Sequence, residues 1–365
     1  MTATAPDSAE AAVWIDGEPA SFDLAVSQAA RLIGDSAMAV FAHLGTDTAG
    51  VREAVLLAEQ VGGVLDHASS AAMLANLDVM RETGLMLTTP LEAAVRADVV
   101  WLIGDSVFEA WPELESRIVA RSRRSPAENA ARRVVWTRTT SPAASQLGAT
   151  TCTIGEGAER LVHLASLRAR SNGRPVCAGD GFDAVAAILR DAKFGVAIWS
   201  AAELEPLAIE AINGLVRDLN QTSRFSTLPL VSADNGAGVE AACAWMTGFP
   251  PRTGFSRGAP HHDPWRYDSR RLISAGETDC VVWISSFERG AAPRAPVHVA
   301  LCEPGGAAAA RVRIDVARPG VDHDAVLYDP RIGALVVQTA ARSQDKPTVA
   351  ATLAAIRAEI GSAPC

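Results

Sequence analysis

Val99-Val100-Trp101-Leu102-Ile103-Gly104-Asp105 is the stretch of sequence that decides the fold class. Five successive apolar residues are typical of a strand buried on both faces of a parallel sheet, because such a strand has no solvent-facing side. Gly104-Asp105 then predicts a turn at the carboxyl end of this strand. Ligands of open α/β sheets bind at the carboxyl ends of strands, so this turn is a candidate crevice.

The upstream sequence has a strand-helix-strand order. Ala37–Ala42 and Val64-Leu65 are predicted strands. Between them, Thr48–Val61 has helical spacing and is followed by Gly62-Gly63, a typical helix stop. Alternation of this kind predicts an α/β fold in which helices cover a parallel sheet.

Other segments give more local predictions. Asp16-Gly17 predicts a hairpin turn, and Pro112–Arg123 predicts a helix. Arg311–Val316 and Ala334–Thr339 are expected to pair late in the sheet. Residues 247–260 contain too much Gly and Pro for a helix or a central strand, so an ordered loop that joins two units is expected there.

Length and charge limit the classes of protein. A chain of 365 residues suggests about two domains of about 150 residues each. The formal charge of −9 argues against a nucleic-acid partner, which would require a basic face. The one basic region is interpreted as a solvated helix face with subunit salt bridges, with an anionic ligand or partner as the alternative. Its arginines are Arg117, Arg121, Arg123, Arg124, Arg132 and Arg133.

Targeting signals and clustered thiols are not found in the sequence. No apolar run reaches the roughly 18 residues of a membrane-spanning helix. Residues 1–9 lack the features of a signal peptide and are predicted to be a flexible leader on a cytoplasmic protein. Iron–sulfur and structural zinc sites need closely spaced thiolates, so scattered cysteines without a CxxC pair are interpreted as buried thiols. They are Cys152, Cys177, Cys243, Cys280, Cys302 and Cys365.

The remaining motifs are weak. Gly179-Asp180-Gly181 fits a dinucleotide fingerprint, but a turn precedes it instead of a strand, which favours a helix entry over a phosphate loop. His261-His262 would point to opposite sides of an extended chain and make a poor metal pair. His43 and His67 each follow a predicted strand, where a hydrogen-bonding role in a crevice is one interpretation.

Three ordered blocks carry a resemblance to a known family. They are Arg52–Asp66, Arg96–Gly104, and Leu215–Asn220 together with Trp245–Pro250 and Phe255–Gly258. In these blocks the chain resembles the B subunit of formylmethanofuran dehydrogenases, which are molybdopterin enzymes of the formate dehydrogenase type. The resemblance implies two Rossmann-like parallel-sheet domains without the family's iron–sulfur domain. It also implies a discontinuous first domain, formed by residues 10–72 and 265–365, with residues 73–264 inserted.

The chain departs from the family at its cofactor site. Ala72 stands where the family has a metal-binding Cys or selenocysteine, and an alanine methyl has no lone pair. Asp105-Ser106 stands where the family's turn faces the pterin pyrophosphate. We therefore expect that the chain has no catalytic residue, binds neither a metal nor a cofactor, and retains a degenerate crevice. That crevice would comprise His43, His67, Gly104, Asp105 and Ser106.

This pattern of departures resembles in particular the B subunit of bacterial formyltransferase/hydrolase complexes. This resemblance implies a non-catalytic structural subunit that binds an amidohydrolase-like A subunit, a C subunit and a formyltransferase D subunit. One alternative is an active formylmethanofuran dehydrogenase-type subunit that binds molybdopterin through unusual ligands. A second alternative is an unrelated small-molecule enzyme with a nucleotide crevice.

Overall fold

The computed structural model describes residues 13–120, 132–139, 146–176, 181–230, 233–287, 296–304, 306–307, 309–342 and 344–362. They form two compact units. The first contains the described residues of 13–70, 234–328 and 335–362, and the second those of 71–233 and 329–334.

Helices and strands alternate along most of the described chain. The strands are β1 Val13–Ile15, β2 Glu18–Pro19, β3 Ala39–Gly45, β4 Val64–Leu65, β5 Val99–Ile103, β6 Arg133–Arg138, β7 Thr150–Thr153, β8 Phe194–Ser200, β9 Arg224–Leu230, β10 Thr253–Gly254, β11 His261–His262, β12 Cys280–Ser285, β13 Val299–Cys302, β14 Val312–Asp315, β15 Ala325–Asp329 and β16 Ala334–Gln338. The helices are α1 Phe22–Gly34, α2 Thr48–Val61, α3 Ser70–Thr83, α4 Pro90–Arg96, α5 Val107–Ala110, α6 Gly157–Ser171, α7 Phe182–Arg190, α8 Pro206–Leu219, α9 Gly236–Thr247, α10 Ser269–Ser274 and α11 Val349–Ser362.

The second unit is built on β5, as the opening stretch predicts. The strand is central in a parallel sheet of order β7-β6-β5-β8-β9, and all five of its residues are buried. Val99, Trp101 and Ile103 pack into one hydrophobic cluster, while Val100 and Leu102 pack into another. Because successive side chains of a strand point to opposite faces, both faces of β5 are covered.

The first unit has a mixed sheet of order β11-β10-β4-β3-β12-β13-β14-β1-β2. The strands from β4 to β14 in this order are parallel, and antiparallel strands flank them at both edges. Helices α1, α2, α9 and α11 pack against one another in this unit. The chain leaves β3 toward β4 on one side and has β12 on the other, an arrangement that places a topological switch point at the end of β3.

Several local predictions are confirmed. The turn between β1 and β2 is Asp16-Gly17, where both residues have positive φ, as two-residue hairpin turns require. Helix α2 spans the predicted residues and ends at Gly62 in the left-handed conformation. The coarse fold class is confirmed too, because both units are α/β with parallel strands.

The structure differs from the expectation at the domain junction. The chain returns to the first unit at Asp234, whereas the family resemblance implies a return near residue 265. The intervening segment belongs to the first unit because α9 packs on α2 and because β10 pairs with β4. The Gly/Pro-rich residues 247–260 therefore lie inside the first unit and do not join the two units.

Two further predictions are wrong. In place of one helix over Pro112–Arg123, the described part contains a five-residue π-helical turn at Glu115–Val119, and residues 121–131 lie outside the described residues. Strands β14 and β16 do not pair. Instead β14 lies between β13 and β1, and β16 pairs with β15 in a separate sheet. Hydrophobic periodicity and β-propensity in a sequence identify strands. They do not identify the strands that pair, because pairing depends on contacts between residues distant in the sequence.

Within the described part of the chain, no helix is long and apolar enough to cross a membrane.

A buried hydroxyl in the second sheet gives the first testable prediction. Trp101 Nε1 donates to Thr137 Oγ1 at 3.1 Å, and Trp101 and Thr137 are fully buried. Thr137→Val should lower the free energy of unfolding by about 1–3 kcal/mol because it leaves a buried indole N–H unpaired. Urea denaturation measures the change.

Thr227 provides the matched control. It is fully buried in the same sheet, and its hydroxyl has no hydrogen-bond partner among the described residues. Thr227→Val should therefore be neutral or stabilising. Equal losses for the two variants would contradict the assignment.

Candidate functional site

The turn after β5 binds a carboxylate of the same chain. The backbone N–H groups of Asp105 and Ser106 donate to Glu203 Oε1 at 2.7 Å and Oε2 at 2.8 Å, respectively. Glu203 follows β8, which lies beside β5 and runs parallel to it. The carboxyl ends of neighbouring parallel strands meet at one edge of the sheet, so the topology brings these residues together.

A buried arginine binds the main chain at Glu203. Arg160 is 6% exposed and donates through Nη1 to the Glu203 carbonyl oxygen at 2.7 Å and to Glu205 Oε2 at 2.9 Å. Gly104 lies against the Glu203 carboxylate and has a φ of +93°. A Cβ atom at this position would overlap that carboxylate. Glycine is thus required for both the backbone conformation and the approach of the carboxylate.

The side chain of Asp105 is also engaged. Its carboxylate accepts from Arg138 Nε and from the Thr139 N–H, the latter at 3.1 Å. The Arg138 guanidinium lies 4.3 Å from the centre of the Trp136 ring, and Trp136 Nε1 donates to the Gly104 carbonyl at 2.8 Å. These contacts show that the Asp105 side chain stabilises the turn.

A second cluster of titratable groups lies in the first unit, at the end of β3. His43 and Leu44 have positive φ values of 68° and 47°. The His43 side chain is 10% exposed, its Nε2 lies 3.4 Å from Asp234 Oδ2, and its ring centre lies 4.6 Å from that of Trp283. The adjacent His43 ring lowers the pKa of the Asp234 carboxyl below its usual value.

His67 is a fully bonded core histidine. Its Nδ1 accepts from the Ser69 N–H at 3.0 Å, and its Nε2 lies 3.2 Å from the Asp234 carbonyl oxygen. Both bonds are satisfied by the neutral ring with the proton on Nε2. Burial lowers the pKa of His67 to about 4, so the ring is uncharged at neutral pH.

Asp234 and Asn235 form the turn that contacts the end of β3. Both residues have positive φ, 54° and 59°. Asn235 Nδ2 donates to the Thr46 carbonyl and its Oδ1 accepts from the Tyr328 N–H, each at 2.9 Å. The chain therefore supplies its own partners at the switch point of the first unit.

Ala72 lies in α3, where its half-buried methyl packs against the hydrophobic core of the second unit. It cannot replace a metal-binding thiolate. Among the described residues, no group of three or more His, Cys, Asp or Glu side chains could hold a metal ion. Burial raises the pKa of each described cysteine thiol, Cys152, Cys243, Cys280 and Cys302, to about 12. Cys177 and Cys365 lie outside the described residues.

The second unit does not fit a pterin pyrophosphate at the turn after β5. The N–H groups that would bind a phosphate already bind Glu203, and the Glu203 and Asp105 carboxylates would repel one. Of the five crevice residues expected from the sequence, His43 and His67 come together in the first unit. Gly104, Asp105 and Ser106 come together in the second.

Where the structure describes the weaker sequence motifs, their residues make contacts within the chain. Gly181 is the N-cap of α7, as the helix-entry interpretation expects, and Gly179 lies outside the described residues. His262 Nδ1 lies 3.0 Å from the Arg252 carbonyl. Of the basic region, Arg117 pairs with Glu113 and Arg133 with Asp191, which favours salt bridges over an anion site.

Sequence reasoning missed Glu203 and Asp234. A signal for Glu203 exists, since it is an acidic residue shortly after a buried strand that neighbours β5. Asp234-Asn235-Gly236 is a turn sequence, but nothing in it indicates that the turn contacts His43 and His67.

The pKa of His67 predicts how stability changes with pH. The unfolded histidine has its usual pKa of 6.5 and the native one about 4. Between these values the unfolded chain binds a proton that the native chain does not, so the free energy of unfolding falls as pH decreases through this window. A difference of this size between the two pKa values corresponds to a change of roughly 3 kcal/mol in the free energy of unfolding.

His67→Gln tests this expectation because glutamine can donate to the Asp234 carbonyl but does not titrate. Urea denaturation of both proteins between about pH 4 and 7 should give a flatter profile for the variant. Parallel profiles would show that His67 is not the titrating group.

Comparison with known proteins supplies relatives, although no family model matches the chain. The B subunit of the formyltransferase/hydrolase complex of Methylorubrum extorquens is 32% identical over 363 residues, covering 96% of this chain and 97% of that protein. The B subunit of the tungsten-containing formylmethanofuran dehydrogenase 2 of Methanocaldococcus jannaschii is 26% identical over 287 residues. That match covers 74% of this chain and 65% of that protein.

A solved structure has the same fold. The chain matches a chain of the crystal structure of the M. extorquens formyltransferase/hydrolase complex with methylofuran, with a TM-score of 0.85 and 32% identity. The match covers 96% of this chain and 98% of that one. The resemblance predicted from the sequence blocks is confirmed. The chain belongs to the family of B subunits of formyltransferase/hydrolase complexes and is distantly similar to B subunits of formylmethanofuran dehydrogenases.

Proposed function

We propose that this chain is a non-catalytic structural subunit of a cytoplasmic formyltransferase/hydrolase complex, in which it binds the A, C and D subunits. The observation that supports this most is the match to the M. extorquens B subunit along 97% of that protein's length. A similar structure in the crystal of the assembled complex supports it further.

In this proposal the chemistry belongs to the partner subunits. The complex would take the formyl group from formyl-tetrahydromethanopterin, pass it to a methanofuran-type carrier and release formate. An amidohydrolase-like A subunit and a formyltransferase D subunit would perform these steps. The present chain would hold them in place.

The residues at the expected cofactor site and at the strand ends favour a structural role over redox chemistry. Ala72 offers no metal ligand, Glu203 takes the N–H groups after β5, and His67 has both ring nitrogens engaged by backbone groups. None of these groups is free to bind or activate a substrate.

We also propose that the two units are Rossmann-like domains of the molybdopterin oxidoreductase, formate dehydrogenase-like type. Each unit has parallel strands at the centre of its sheet, and the chain leaves the first unit and returns to it, which is consistent with that assignment. The 365 residues contain no CxxC pair that would suit an iron–sulfur cluster.

Exposed apolar side chains are consistent with subunit contacts. In the first unit, Trp245 and Trp265 are 68% and 72% exposed. In the second, Met86, Leu87 and Leu91 are exposed. Tryptophan and methionine are enriched at protein interfaces, so these residues are candidates for contacts with partner subunits.

The proposal predicts that variants of this chain affect assembly and not turnover. Molybdenum, tungsten and iron would be measured in the purified complex, and formyl transfer would be assayed for complexes that carry His43→Gln or Asp105→Asn. We expect metals far below one per copy of this chain. Turnover per assembled complex should change less than about twofold, because these residues touch no substrate.

Trp245→Ala is the assembly control. It should reduce the yield of complex without changing turnover per assembled complex. The alternative function, an active molybdopterin-binding subunit, would be indicated by stoichiometric molybdenum or tungsten that stays with this chain. It would also be indicated by a loss of turnover of about tenfold in a fully assembled His43→Gln or Asp105→Asn complex.

A further inference from the structure

We propose that the turn after β5 is an oxyanion-binding site whose ligand is the chain's own Glu203 carboxylate. The inference concerns what this turn binds, so it holds whether or not the proposed function is correct. It also explains in physical terms why the second unit fits no pterin phosphate.

The geometry of the turn is that of an anion site. Two successive N–H groups, of Asp105 and Ser106, donate to different oxygens of one carboxylate at 2.7 and 2.8 Å. Hydrogen bonds to an ionised acceptor are stronger than neutral ones, and paired donors fix its orientation. Successive backbone N–H groups that converge on one anion form a recurrent anion-binding concavity.

The neighbouring glycine shapes the site. Gly104 leaves the space that the carboxylate fills, since any Cβ atom there would overlap it. The Ser106 hydroxyl oxygen has no hydrogen-bond partner among the described residues, so the carboxylate is bound by backbone N–H groups and not by this hydroxyl. The turn is therefore suited to a small oxyanion such as acetate or inorganic phosphate.

Glu203 prevents such an anion from binding because it is held in place. Arg160 bonds to its backbone carbonyl at 2.7 Å, which fixes the main chain from which the carboxylate reaches the turn. A tethered ligand has an effective concentration in the millimolar range or above, which free anions in solution would have to exceed. The wild-type turn should not respond to added acetate or phosphate.

Glu203→Ala in the full-length chain tests the proposal by removing the internal ligand. We expect the melting temperature to fall by about 5–10 °C, because two charge-assisted hydrogen bonds are lost. Acetate or phosphate at about 100 mM should then raise the melting temperature of the variant by several degrees and leave that of the wild type unchanged. Sodium chloride at equal ionic strength separates specific binding from screening. Glu210→Ala, which removes an exposed glutamate on α8, is the matched control.

Hydrogen exchange at the Asp105 and Ser106 amides provides a readout specific to the turn. We expect protection in the wild type, exchange at least about tenfold faster in Glu203→Ala, and protection again with acetate or phosphate. If that variant does not fold, Glu203→Gln serves, since its amide can accept only at one oxygen and should leave one of the two N–H groups less protected. The proposal is overturned if the Glu203 variant that folds exchanges at these amides as the wild type does, or if the anions affect it and Glu210→Ala equally.

Discussion

Backbone N–H and C=O groups at the carboxyl ends of parallel strands need partners, and both units supply such partners from the same chain. Inside a sheet such groups bond to the neighbouring strands, but the turn that follows a strand has no strand beside it. Buried backbone groups without partners are costly, so a ligand, water or the chain itself must satisfy them. Here the chain does so with Glu203 in the second unit. In the first unit, the Asn235 amide donates to the Thr46 carbonyl oxygen that follows β3, and the His67 ring bonds to the Asp234 carbonyl oxygen.

The same contacts bear on function. Strand ends are where α/β proteins bind cofactors, and distant relatives of this chain include a tungsten-containing dehydrogenase subunit. Here a carboxylate occupies the donors that an anionic cofactor would use. The buried His67 stays neutral because both of its ring nitrogens have partners and burial disfavours its charge. Groups whose hydrogen bonds are taken up within the chain in this way are consistent with a subunit that stabilises an assembly.

Sequence reasoning succeeded where the signal is local. The five apolar residues of β5 predicted a strand covered on both faces, and Gly62 predicted the end of α2. It failed where distant segments meet. The strand pairing of β14, the return to the first unit at Asp234 and the contact between Glu203 and the turn after β5 join residues far apart in the chain. Single-sequence patterns contain no information on such pairs.

The sequence by itself therefore determined the α/β class, the central buried strand, the family blocks and the alanine at position 72. Each follows from the identity or spacing of neighbouring residues. Only the tertiary structure decided that Glu203, and not a bound anion, satisfies the turn after β5, and that Asp234 joins His43 to His67. For Glu203 the physical reason is that the parallel neighbours β5 and β8 bring their carboxyl ends to one edge of the sheet. For Asp234 it is that α9, which follows this turn, packs on α2 and β3, so residues far apart in the chain become neighbours.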